Sequence, residues 1–188
     1  MDSFFEFMDY SEQIRLIRKS FFAYRNGIIA DSLRRCKGPH KSIMGCQWVD
    51  IKAIAEQVPQ NAVLAEKLWE IRDSRECRMV APLLYPLDEF DVATAIMWGK
   101  AVECDEIADV FCQALAGRMN DVLPVVEALA AEGNDQCDYT AFRLLQNAHK
   151  RGTVVLDGNV RRLIDAKKFT VSQHVRPILL DLLSDCQQ

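Results

Sequence analysis

Alternating strands, paired CxxC cysteines, a glycine-rich phosphate loop and a long apolar run are all missing from this chain. Each absence excludes something. Without period-two alternation or two-residue hairpin turns there is no signal for a sheet. A bilayer-spanning helix needs about 20 consecutive apolar residues, and no stretch approaches that. The opening MDSFFEFMDY is acidic where a signal peptide needs a positive n-region, so a cytoplasmic protein is expected. Seven cysteines, odd in number and without CxxC spacing, suit neither a zinc site nor a disulfide framework; Cys36, Cys46, Cys77, Cys104, Cys112, Cys137 and Cys186 read as buried or incidental thiols. His40, His149 and His174 lie far apart with no carboxylate or Cys at ligand spacing, so no metal and no cofactor is expected. No Ser/His/Asp constellation is visible. Eight Gly and six Pro are too few for a loop-dominated or disordered chain.

What the chain has is helical periodicity and an uneven charge. Its 188 residues suit one domain, 1–188, long enough to bury a substantial core. The net charge is −4, but Ser11–Gly45 carries eight Lys/Arg against two Asp/Glu and Arg143–Lys168 seven against two. The intervening Cys46–Phe142 carries seven against eighteen. An acidic protein is a poor general binder of nucleic acid, yet two separated basic segments suffice if folding brings them to one surface. The candidate phosphate contacts are Arg34, Arg35, Lys37 and Lys41 in the first, and Lys150, Arg151, Arg161, Arg162, Lys167 and Lys168 in the second. A solvated face is the plainer account of both.

Helical signals run almost end to end. Ser11 is placed to cap a first helix, and Asn26-Gly27 breaks it from a second, Ile28–Cys36, stopped by Gly38-Pro39. Further helices are expected at Val49–Gln57, Asn61–Glu70, Arg75–Leu84 with Ser74 as cap, and Asp88–Trp98 with Gly99 as stop. Lys100–Ala116 reads as one central helix, with Cys104, Ile107, Ala108, Phe111, Cys112 and Leu115 on one apolar stripe. Glu103, Asp105, Glu106 and Asp109 crowd its start, where acidic side chains complement the helix dipole. Asp121–Ala131, Tyr139–Lys150, Val160–Ala166 and Val171–Ser184 complete the set, with Pro177 tolerated near a bend or helix start. Grouped in pairs, the helices repeat about every 30 residues, the spacing of helical-repeat arrays. The expected architecture is all-α: antiparallel helical repeats stacked into a curved solenoid.

Several segments resemble the AlkD-like DNA alkylation-repair proteins, which are HEAT-like repeat DNA glycosylases. GCQWVDIKAIAEQV (Gly45–Val58) looks like their Gly-x-x-x-x-Asp-Ile/Leu-Arg/Lys entry, and Asn61–Leu84 resembles the next pair, with Leu-Trp and Arg-Glu-x-x-x-x-Ala signatures. CDEIADVFC (Cys104–Cys112) is similar to the Asp-bearing helix, and YRNGIIADSLR (Tyr24–Arg34) to one branch of the family. The resemblance covers Tyr24 to about Cys112; beyond that only the helical pattern matches.

The resemblance implies base excision of cationic N3- or N7-alkylated purines, without a deep pocket for a flipped base. Such a base is already an activated leaving group, so a carboxylate that stabilises the developing oxocarbenium ion carries most of the work. Asp105 falls at the catalytic carboxylate position. Four residues earlier the family has a lesion-contacting Trp, where this chain has Ala101, a departure that counts against excision. Trp48, Trp69 and Trp98 read as packing residues, and Tyr139 lies near the place of the later aromatic. Double-stranded DNA held through phosphates is the implied partner. The alternatives are a non-catalytic helical scaffold for a protein, with the acidic middle segment as its working surface, or for structured DNA.

Overall fold

The computed structural model describes residues 8–185; Cys186 lies outside them. Eleven α-helices and two short 3-10 turns account for the regular structure of these residues, which contain no strand, only one isolated bridge between Ser42 and Ser74. The chain divides into two compact units between Glu89 and Phe90.

The first unit holds α1 (Tyr10–Ala23), α2 (Gly27–Arg35), α3 (Trp48–Ala55), α4 (Ala62–Glu70) and α5 (Arg75–Leu84). The expected cap Ser11 falls inside the first turn of α1, because Asp9 does the capping: its Oδ1 accepts from the Glu12 N–H at 2.8 Å. Asn26 and Asn61 cap α2 and α4 in the same way. Ser74 sits at the start of α5 without a side-chain capping bond. The antiparallel pair α4–α5 is the most extensive helix contact of this unit, and α3 also packs on α5.

The Arg75-Glu76 step is a buried lock. Glu76 accepts from the backbone N–H groups of Met44 (3.1 Å) and Gly45 (3.0 Å), while Arg75 donates to the Cys46 carbonyl and to Glu76 itself, both at 3.0 Å. The loop between α2 and α3 is thereby fastened to α5. Gly45 is required there: its φ is +78°, and an added Cβ would stand 2.2 Å from the Asn26 carbonyl oxygen. Two residues of α5 further on, Arg78 is fully buried with its guanidinium 3.6 Å above the Trp69 ring.

The second unit holds α6 (Val92–Lys100), α7 (Asp105–Ala114), α8 (Leu123–Ala131), α9 (Asp135–Lys150), α10 (Gly158–Lys167) and α11 (Arg176–Asp185). Contacts run α6 on α8, α7 on α9 and α8 on α9, with α11 packed on α9 and α10. Trp98 is 1% exposed and meets Phe90 and Phe111 at ring separations of 5.8 and 6.3 Å, the packing role expected of it. Trp69 is likewise buried, whereas Trp48 is only half-buried.

Several boundaries differ from expectation; the last helix, for one, begins at Arg176 rather than Val171. The helix expected to begin at Asp88 begins at Val92, capped by Asp91, after a 3-10 turn. Gly99 does not stop it: the helix runs on to Lys100, and Gly99 lies where a Cβ would come within 2.7 Å of Leu129 Cδ1, so its smallness lets α6 approach α8. The expected central helix Lys100–Ala116 is not continuous. Ala101 ends α6, Cys104 is extended (φ −159°, ψ 162°), and α7 starts at Asp105. In the same way Asn134 caps α9, so that helix starts at Asp135 rather than Tyr139 and the polar linker shortens.

The described cysteines are free thiols, with Cys46, Cys77, Cys112 and Cys137 buried, Cys104 half-buried and Cys36 exposed. Burial pushes the Cys46 thiol up to about 12, helped by the negative charges of Glu76 and Asp50. No described helix is long and apolar enough to cross a membrane.

Candidate functional site

Two polar stripes face each other in the second unit. On α7, Asp105, Asp109 and Gln113 recur every four residues. On α9, Gln136, Tyr139, Arg143, Gln146 and Lys150 recur at offsets of three and four. Gln136 Nε2 lies 3.5 Å from Asp105 Oδ1, and the Tyr139 hydroxyl donates to Asp109 at 3.1 Å. Arg143 reaches three partners: Nε is 2.7 Å from Asp109, while the Nη groups donate to the Tyr139 oxygen (2.8 Å) and to Gln146 Oε1 (2.9 Å). Gln146 donates onward to Asp181 of α11, which also meets Lys150 at 3.4 Å.

This network shapes the local proton affinities. Burial raises the Tyr139 hydroxyl above its usual range; the Arg143 hydrogen bond opposes that and the charge of Asp109 adds to it. Burial works to lower Arg143, but the bond to Tyr139 and the charge of Asp109 outweigh it and the net direction is up. Arg143 is thus a fixed cation.

Asp105, expected as the catalytic carboxylate, stands at the first position of α7 with its side chain 48% exposed. Tyr139, expected as the aromatic contact, is buried, and His174 lies flat against it with ring centroids 5.6 Å apart and planes 18° apart. His174 Nε2 is also 3.8 Å from Asp105, so one imidazole links the two. Because α7 begins at Asp105, Ala101 does not occupy the preceding turn of the same helix. A carboxylate with a residue one helical turn ahead of it is instead Asp109, preceded by Asp105.

The cationic candidates separate into groups. Lys150 and Arg151 line a cleft of about 380 Å³ with Asp109, Gln113, Arg143 and Asn147, which sets three cations against one carboxylate. Arg151 donates to the Gln113 carbonyl at 2.6 Å, holding the end of α9 against α7. Lys167 instead meets Asp138, near the start of α9, at 2.9 Å. Twelve residues separate that point from Lys150, or about 18 Å of helix, so the second basic segment does not gather at one spot. Arg161 and Lys168 both pair with Asp165, and Arg162 donates to the Gly158 carbonyl and Asn159. In the first unit, Arg34 is held by Asp31 and the Ile43 carbonyl, Arg35 bonds the Asp31 carbonyl, Lys41 pairs with Asp73, and Lys37 is exposed at φ 51°.

Sequence reasoning missed Arg143, His174, Gln146 and Asp181 as members of a site. For Arg143 and Gln146 the signal available was the α9 stripe itself, polar residues at helical spacing along an otherwise buried helix; His174 and Asp181 lie outside that stripe.

Comparison with known proteins sharpens the fold. No protein-family model and no curated protein sequence matches the chain. A solved structure, described as a new family of proteins related to the HEAT-like repeat DNA glycosylases with affinity for branched DNA structures, superposes with a TM-score of 0.77. This chain has the HEAT-like repeat fold. The likeness covers 95% of this chain and 75% of that one at 14% identity. The helical-repeat architecture expected from helix spacing, and the HEAT-like fold that the resemblance implies, are therefore observed.

Proposed function

We propose that the protein binds DNA through its phosphates, branched DNA structures included, at the cleft between α7 and α9. The carrying observation is the cleft's lining: Arg143, Lys150 and Arg151 beside Gln113 and Asn147, with Asp109 as the one carboxylate. Guanidinium and ammonium groups beside neutral amides suit phosphate oxygens, and neutralising phosphates releases counterions. The fold likeness supports the reading, since the superposed protein is described as having affinity for branched DNA. Equilibrium binding of a labelled four-way junction and a matched duplex, by fluorescence anisotropy at low salt, tests it. Binding to neither overturns it and favours a protein partner.

A second reading has one observation in its favour. His174 joins Asp105 to Tyr139, the two residues that family resemblance singles out. Excision of cationic alkylpurines would then use Asp105, or Asp109 one turn on, to stabilise the oxocarbenium ion. The position of Ala101 at the end of α6 leaves no aromatic one turn ahead of either carboxylate. Release of N3-methyladenine or N7-methylguanine from alkylated DNA, lost in Asp105→Asn or Asp109→Asn, is the outcome that reading requires.

A further inference from the structure

Phe169 is 82% exposed, a large aromatic ring left in water at the end of the basic helix α10. Its setting is ordered. One residue earlier, Lys168 places its ammonium 5.0 Å from the ring centroid. Two residues earlier, Lys167 is fastened to the buried Asp138 at 2.9 Å. Two residues later Val171 is buried, and its N–H donates to the Lys167 carbonyl at 3.1 Å. Five residues later His174 is stacked on Tyr139. The connection between α10 and α11 is therefore pinned on both sides of a single protruding ring.

From this geometry we infer that Phe169 is a stacking wedge for an unstacked base at a DNA branch point. The inference rests on the proposed DNA binding and adds to it a residue and the feature of DNA that it reads. Charge complementarity selects the occupant. Around Phe169, Arg161, Arg162, Lys167 and Lys168 stand against Asp157 and Asp165 of the same segment and Asp138, which holds Lys167, a net cationic surround that suits the backbone phosphates of a nucleic acid. A branch point supplies what a continuous duplex lacks, a base whose face is open to stack on an aromatic ring without first breaking a base step. Pre-ordering of the loop means that little freedom is lost on insertion.

The test compares wild type, Phe169→Ala and Phe169→Trp on a fluorescent three-way junction and on linear duplex of the same length. Because the ring is exposed, both variants are expected to keep the wild-type thermal melt. The alanine variant should lose about tenfold in junction affinity, with duplex affinity unchanged, and tryptophan should restore it. A 2-aminopurine at the branch should be quenched by wild type and not by Phe169→Ala. Equal junction affinity for wild type and Phe169→Ala overturns the wedge while leaving DNA binding intact. No binding of either DNA by wild type overturns both. Concentration-dependent self-association abolished by Phe169→Ala would assign the ring to a protein contact, and the wedge would be wrong.

Discussion

Asp109 and Arg143, 34 positions apart in the chain, stand 2.7 Å from each other across α7 and α9. Tyr139 closes the group by donating to one and accepting from the other. The Asp105 carboxylate, one turn earlier on α7, meets Gln136 and His174 among the described residues, at 3.5 and 3.8 Å. The two carboxylates therefore differ in what they hold together.

Asp109→Ala should lower the unfolding free energy by about 1–2 kcal/mol, since it removes the acceptor of the Tyr139 hydroxyl and the counter-charge of Arg143; partial exposure of the pair keeps the cost below that of a buried one. Asp105→Ala should cost less than about 0.5 kcal/mol, as surface substitutions usually do. Urea denaturation of both variants checks the order. Equal losses, or a larger one at Asp105, would contradict this network.

Glu76→Ala should be far more damaging. It removes the negative charge beside buried Arg75 and leaves the Met44 and Gly45 N–H groups without their acceptor, all in the buried loop anchor. A cost of about 3–5 kcal/mol is expected for breaking such a pair from one side. Urea denaturation should show it as a large fall in the midpoint. A midpoint within a few tenths of a molar of wild type would mean that the loop is held some other way.

The raised thiols and phenol set a pH dependence. Cys46, Cys77, Cys112, Cys137 and Tyr139 hold their protons more tightly folded than unfolded. Their contribution to stability is complete below the unfolded values, near 9.0 for the thiols, and is lost as pH rises, through about 12 for Cys46. Thermal melts should fall progressively above pH 9. At pH 8 in native protein, exposed Cys36 should react with a thiol reagent at least about tenfold faster than buried Cys46 or Cys112. Rapid labelling of Cys112 would contradict its burial.

Helix content was legible because apolar stripes and Asn/Asp caps are local signals. Asn26, Asn61 and Asp157 cap their helices, whereas the two caps expected, Ser11 and Ser74, do not: Asp9 caps α1 and Ser74 makes no side-chain capping bond. Errors arose where a long-range contact overrode a local one. Gly99 reads as a stop but is retained inside α6 by the close approach of Leu129. The apolar stripe through Cys104 continues past the point where the backbone turns extended, so the break before Asp105 left no trace in periodicity. Of the candidate site, the sequence offers Asp105 and Tyr139, which one imidazole joins in the fold; the separation of Lys167 from Lys150 along α9 depends on a tertiary pair that spacing cannot announce.

The most direct test of the account is the salt dependence of junction binding for wild type and the double variant Lys150→Ala/Arg151→Ala. If the cleft holds phosphates, log affinity should fall linearly with log salt for wild type, and the double variant should bind more weakly with a slope shallower by about 1–2. Wild-type affinity that ignores salt, or a double variant with the same slope and affinity, would contradict phosphate binding at this cleft.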